Sequence, residues 1–178
     1  MIFANYGLLW HVARTNWKEG LIGYVNYGDN VDFSYQRGIY VLYDDAFDVM
    51  YVGQAGQGNA GLWDRLRAHQ YNERAERWTR FSWFGLDHVD PEQGAEPARL
   101  VRPDRDQAVT LSVANLLDHI EAVLITATEA RLNKQGGRFG DAVKYWQAYD
   151  WDKDPIDRLA RIEAQVDDIA ARLDKSKR

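Results

Sequence analysis

The chain contains no cysteine, so it can build neither a disulfide framework nor a thiolate metal site. Proline is scarce, with 4 in 178 residues. Three of these, at 91, 97 and 103, fall in one charged stretch, Asp87 to Gln107, which reads as a surface loop or insertion. No apolar run approaches the length of a membrane span. The start, Met1-Ile2-Phe3-Ala4-Asn5-Tyr6, has no basic region ahead of an apolar run, so a signal peptide is not expected. These absences lead to the expectation of a protein of the reducing cytoplasm, with no membrane partner. An excess of positive charge is also missing. The formal net charge is -5, which counts mildly against nucleic acid as a partner.

What is present is ordinary for a globular chain: 46% hydrophobic and 28% charged residues, and enough length for one domain with a real core plus appendages. The charge is unevenly distributed. Arg65, Arg67, Arg74, Arg77 and Arg80 crowd one segment, Arg99, Arg102 and Arg105 follow in a loop, and Arg131, Lys134, Arg138 and Lys144 come later. Much of the acid lies at 29–48 and 150–174. Singly, each arginine reads as part of a solvated helix face; grouped around one site, they favour a phosphate-binding surface.

The most informative stretch runs from Gly38 to His69. Gly38-Ile39-Tyr40-Val41-Leu42-Tyr43 and Met50-Tyr51-Val52-Gly53 flank an acidic turn at Asp44-Asp45, which predicts a β-hairpin. Alternation puts Ile39, Val41 and Tyr43 on one face and Tyr40 and Leu42 on the other. A Gly-rich link, Gln54 to Gly61, follows; it is either a flexible connector or a set of backbone amides approaching a phosphate. Leu62 and Leu66 recur at helical spacing, predicting a helix over Leu62 to Arg77. Arg65 and His69 are four apart and share one side of it.

These residues resemble the GIY-YIG nuclease family. Gly38-Ile39-Tyr40 stands at the first signature, and Tyr51-Val52-Gly53 at the second, with Val in place of Ile. Arg65 and His69 match the Arg, and the His or Tyr four residues on, of the helix that follows. The family's later Glu and Asn correspond to Glu121, in Asp118-His119-Ile120-Glu121-Ala122, and Asn133, in Ala130-Arg131-Leu132-Asn133. The resemblance covers roughly 37–140. It departs in the lengthened link between Tyr51 and Arg65, and at Ala130, near which relatives often carry a Pro. It implies an α+β domain with a small, mainly antiparallel three-stranded central sheet flanked by helices, spanning 37–149. It also implies a metal-dependent endonuclease that hydrolyses phosphodiester bonds in DNA.

The flanking regions are read from their own residues. Residues 1–36 are rich in aromatics, and Leu8 to Ala13 and Leu21 to Val25 each read as a short strand. This extension packs on the core or adds strands to its sheet; a partner- or DNA-contacting arm is the alternative, disfavoured because it would expose so many aromatics. His11, with no second ligand type beside it, reads as structural. Trp78 to Leu86 predicts the third core strand, Thr110 to Thr128 a second long helix, and Phe139 to Tyr149 a short closing helix. Asp154-Pro155 supplies an N-cap and a first helical residue. Leu159, Ile162, Val166, Ile169 and Leu173 then repeat in steps of three and four. That amphipathic helix, 154–175, either docks on the domain or makes a homodimer.

The chemistry follows the resemblance. Leu117, Leu124 and Ile125 lie three or four residues from Glu121 and are expected to face the core. A carboxylate on such a stripe needs a partner: an internal salt bridge, for instance to Arg65, or a hard divalent ion, Mg²⁺ or Mn²⁺. One carboxylate implies a single-metal mechanism. Arg65 would hold a non-bridging phosphate oxygen. Tyr40 or Tyr51 would orient or deprotonate the attacking water, although a free phenol titrates near 10. His69 would relay a proton, touch the phosphate or assist a tyrosine, and Asn133 would bind substrate or fix the site. Gly53, Arg67 and Lys134 would contact substrate. Ordinary half-buried strand aromatics are the alternative for the two tyrosines. A non-catalytic nucleic-acid-binding or assembly module with the same fold is the alternative for the whole, and RNA is an alternative substrate. No zinc finger or helix-turn-helix is recognisable, so specificity would come from the extensions or a partner.

Overall fold

The computed structural model describes residues 2–25, 30–57, 60–71, 77–90, 98, 100–102, 113–128 and 136–148. The expected helix at 154–175, together with Asn133 and Lys134, lies outside them. The chain is a mixed α+β fold. In order it forms β1 (Asn5–His11), β2 (Ile22–Tyr24), β3 (Asn30–Asp32), β4 (Gly38–Tyr43), β5 (Val49–Ala55), α1 (Leu62–Gln70), β6 (Arg80–Gly85), β7 (His88–Val89), β8 (Leu100–Val101), α2 (Val113–Thr128) and β9 (Val143–Gln147). Strands β7 and β8 pair with each other, and the other seven make one sheet in the order β3-β2-β9-β1-β6-β4-β5. No helix among the described residues is long and apolar enough to cross a membrane.

The expected three-stranded sheet is therefore one end of a larger one. Strands β6, β4 and β5 are its antiparallel end, with Tyr40 opposite both Gly53 and Trp83. The N-terminal extension continues this sheet, since β1 pairs antiparallel with β6. The segment expected as a closing helix is instead the strand β9, parallel to β1 and antiparallel to β2. Its residues explain this: Val143, Tyr145 and Trp146 favour a pleated surface, and Tyr145 goes into the core while Trp146 stays exposed.

Strand alternation divides the interior into two layers, with the hairpin residues assigned as their spacing predicts. Tyr40 and Leu42 join Trp10, Phe33, Phe81, Trp83 and Tyr145 beneath Leu62 and Leu66 of α1. Val41 and Tyr43 face the other way, with Phe3, Phe84, Phe139, Ala122 and Ala127. Helices α1 and α2 thus cover opposite faces. The inner side of α2 is not the expected one. Ala122, Ala127 and His119 are buried, whereas Leu117 and Leu124 are 59% and 57% exposed. Small residues let the helix lie close to its neighbours, and a Cβ on Gly137 would strike the backbone of Ala122.

A buried polar strap fixes where the chain enters β4. Asn5 Nδ2 donates to the Asp87 carbonyl at 2.9 Å, and Gln36 Nε2 donates to the same carbonyl at 3.1 Å and to Asn5 Oδ1 at 2.5 Å. Arg37 Nε donates to both Asp87 carboxylate oxygens, at 2.9 and 3.0 Å, and its Nη2 also pairs with Oδ1. The Asp87 hydrogen bond raises the Arg37 pKa above its ordinary value against an opposing burial cost. These bonds satisfy groups that would otherwise be stranded in the interior, and they sit immediately before the first residue of the hairpin.

Candidate active site

Tyr40 and Tyr51 project from adjacent strands onto the α1 face of the sheet. Tyr51 is opposite Leu42, two positions along from the Tyr40–Gly53 pair, so the two phenols are diagonal neighbours, with ring centroids 6.1 Å apart. Gly53 makes this possible. A Cβ there would stand against the Tyr40 ring and hydroxyl and against Tyr51 Cε1. The glycine is needed for space rather than for backbone freedom.

Helix α1 brings in the other groups. Its first amides are occupied by the chain just before the hairpin: Leu62 N–H donates to the Gln36 carbonyl and Trp63 N–H to the Ser34 carbonyl, each at 3.0 Å. Asp64 closes the turn by accepting from Gly61 N–H at 3.1 Å. The helix is thereby held over the sheet by its N-terminus, with Leu62 and Leu66 as buried anchors. The preceding link is also bonded to itself, Gly56 N–H to the Ala60 carbonyl at 2.7 Å and Ala60 N–H to the Gln57 carbonyl at 3.2 Å. Those two amides are engaged within the turn, which favours the connector reading of the Gly-rich stretch.

From this helix His69, only 6% exposed, meets both tyrosines. Its Nε2 lies 2.8 Å from the Tyr40 hydroxyl, and its ring centroid is 4.7 Å from that of Tyr51. The direction of this bond follows the tautomer: with the ring proton on Nδ1, Tyr40 O–H donates to Nε2, and with it on Nε2 the ring donates to the phenol oxygen. Tyr40 is 2% exposed, while Tyr51 is only partly buried. One turn earlier on α1, Arg65 is partly buried, and its Nε is a buried donor with no hydrogen-bond partner. A guanidinium N–H left so costs free energy until an acceptor arrives, and a phosphate oxygen is a strong acceptor for it.

The remaining sequence candidates are placed elsewhere. Arg67 is exposed on α1, and Glu121 is exposed on α2, the helix whose buried residues lie in the layer on the other face of the sheet. The described contacts bring Tyr40, Tyr51, Gly53 and His69 together, with Arg65 on the same helix as His69. They do not bring Glu121 to this group. Among the described residues no cluster of three or more His, Cys, Asp or Glu could hold a metal ion. Of the arginine group, Arg80 has a structural role: it lies 3.6 Å from Asp45 and over the Phe47 ring at 4.4 Å, bracing the hairpin turn. Sequence reasoning left open which partner His69 takes; the shared helix side of Arg65 and His69 was the available signal, and the Tyr40 pairing needed the fold. No protein-family model, no curated protein and no solved structure matches this chain.

Proposed function

We propose that this protein is a GIY-YIG-type endonuclease that hydrolyses phosphodiester bonds in DNA at the Tyr40–Tyr51–His69–Arg65 group. The observation that supports this most is the 2.8 Å Tyr40–His69 contact on the face that also carries Tyr51, with an unsatisfied guanidinium donor one turn away on α1. A phosphoryl-transfer site needs a proton acceptor for the attacking water and fixed positive charge for the phosphorane-like state. Tyr51, the more accessible phenol, would take the water proton as its phenolate. The water oxygen then bonds to phosphorus while the bond to the leaving oxygen breaks, and solvent protonates that oxygen. Arg65 would hold the non-bridging oxygens throughout. Tyr40 and His69 would orient the pair and pass the proton onward, since a cation or acceptor nearby is what makes a phenol useful at neutral pH.

The resemblance also implies Mg²⁺ or Mn²⁺ on Glu121. The placement of Glu121 does not fit an ion shared with the tyrosines, so none of the steps above runs through a metal. We keep the ion in the proposal as an element with its own test. Supercoiled plasmid is incubated with the protein in Mg²⁺, in Mn²⁺ and in chelator. Nicked or linear product that is lost in Arg65→Ala supports the reading, and product lost also in chelator and in Glu121→Ala supports the ion. The exposed position of Glu121 favours one other reading, a non-catalytic module that grips nucleic-acid phosphate through Arg65. A gel shift without turnover under any metal would select it. Parallel digestion of RNA decides the polymer.

A further inference from the structure

The larger sheet ends in β3 on one side and β5 on the other, and the chain treats these edges differently. Beside β3 lies Ala98, whose N–H donates to the Asn30 carbonyl at 2.8 Å and whose carbonyl accepts from Asp32 N–H at 3.3 Å. Among the described residues nothing bridges to the outer side of β5 in this way. That strand, Val49–Ala55, therefore presents a row of N–H and C=O groups that a further strand could take up. Proteins blunt such an edge with lysine, proline or inward-pointing charge. Val49-Met50-Tyr51-Val52-Gly53-Gln54-Ala55 holds no charged residue and no proline. Its one irregularity is a bulge at Met50, since Tyr43 pairs with Val49 and Leu42 with Tyr51. Apolar side chains stand in the open instead: Val52 is 58% and Met50 46% exposed, with Phe47 and Val49 close behind.

The strand that fits this edge is the same strand of a second copy. An uncharged strip offers no ion pair to a basic or acidic peptide, whereas two copies of it meet without like-charge repulsion. Along an edge strand the outward-pointing backbone groups belong to alternate residues. Two antiparallel copies therefore bond only when a residue, not a peptide link, lies on the two-fold axis. With Val52 on the axis the two Val52 side chains meet, and each Tyr51 stands opposite Gly53 of the other copy. The glycine leaves room for the ring, so Tyr51 keeps its place beside His69. An axis through Tyr51 would set two phenol rings against each other, and one through Gly53 would set Val52 against Gln54. The Met50 bulge lies outside the central three residues of the Val52 register.

We infer that the protein forms a two-fold homodimer by antiparallel pairing of β5 with β5 of a second copy, centred on Val52. The two sheets become one continuous sheet. The axis of such a pair runs perpendicular to the sheet, so both copies of α1 lie on the same side and both Tyr40–Tyr51–His69 groups open on one face. A seam one strand wide falls short of the roughly 1,600 Å² of a standard interface, so a dissociation constant in the micromolar range is expected. The inference rests on the sheet edge alone and stands apart from the proposed nuclease function.

Sedimentation velocity of the full-length chain from about 1 to 200 µM should show a monomer–dimer equilibrium. Val52→Lys places two like charges opposite each other on the axis and should raise the dissociation constant at least about tenfold. Gln54→Lys, exposed on the same strand, should also weaken the dimer and gives a second variant. Circular dichroism matching the parent is expected for both, because neither side chain is buried. The chain has no cysteine, so a single introduced thiol reports alone. A short bifunctional maleimide should link Val52→Cys protein to itself about tenfold more than Tyr35→Cys protein, although Tyr35 is 73% exposed. A monomer at every concentration would overturn the inference. A dimer untouched by both lysine variants, or equal linking at the two thiol positions, would overturn it in favour of another surface.

Discussion

Replacing Tyr40 by Phe removes one oxygen from the interior and leaves His69 Nε2 without the hydroxyl now 2.8 Å away. Both residues are buried, at 2% and 6% exposure, so water does not replace the bond freely. A buried polar atom that loses its partner costs about 1–3 kcal/mol. His69→Leu should cost as much or more, because it removes the ring nitrogen 2.8 Å from the phenol and also changes shape. The double variant removes both polar atoms at once, so its loss should be smaller than the sum of the single losses, by about 1–2 kcal/mol. Urea unfolding followed by tryptophan fluorescence measures all four proteins, and the midpoint shift at constant slope gives each loss. Additivity within about 0.4 kcal/mol would mean that the two side chains do not interact, and the reading of the site as a coupled pair would fail with it. The same cycle on plasmid cleavage should be non-additive too, since groups that act as one unit lose nearly everything at the first substitution.

Gly53→Ala should destabilise by about 1–3 kcal/mol, because the new methyl meets the Tyr40 and Tyr51 rings; thermal melting checks it, and an unchanged melt would show that the rings move aside. Arg65→Ala should lower cleavage by about 10²–10³-fold, the range for losing one donor to a developing oxyanion, while leaving the urea midpoint unchanged or slightly raised, since a stranded buried donor goes with it. Asp87→Ala breaks the Arg37 pair, of which the Asp87 side chain is only 2% exposed, and should cost about 3–5 kcal/mol in urea unfolding. Burial raises the Tyr6 pKa above the ordinary phenol value of about 10, so the folded state holds that proton more tightly than the unfolded chain. Stability should be complete below pH 10 and fall as the pH rises beyond it, and Tyr6→Phe should flatten that decline.

The parts of the fold governed by local pattern were legible from the residues. Ile39, Val41 and Tyr43 alternate with Tyr40 and Leu42, and the two layers separate along that alternation. Trp78 to Leu86 contains β6, and the helix after the Gly-rich link begins at Leu62 as its apolar spacing implies. What depended on distant pairing was not legible. The strands β2 and β3 are only three residues each, too short for a distinctive period, and β9 pairs with residues more than a hundred positions away. Phe139 to Tyr149 was expected to be helical, yet its Val, Tyr and Trp residues carried a strand signal. The orientation of α2 failed for a different reason. Apolar residues occur on several of its sides, and those that enter the buried layer are the small Ala122 and Ala127, which permit a close approach, while the larger Leu117 and Leu124 stay exposed. For the site, the hairpin and α1 converge because they are consecutive, whereas the position of Glu121 depends on which face the later helix takes.

The place of β9 has a consequence for synthesis. It lies between β1 and β2, so the N-terminal strands leave the ribosome long before the strand that joins them has been translated. Until Val143 to Gln147 emerges, β2 and β3 have no ladder connecting them to the rest, and Trp10 Nε1 lacks the Tyr145 carbonyl to which it donates at 3.3 Å. Nascent chains stopped before Val143 should therefore stay protease-sensitive across residues 15–36 and depend on holdase chaperones. Release of a few more residues would close the sheet in one late step.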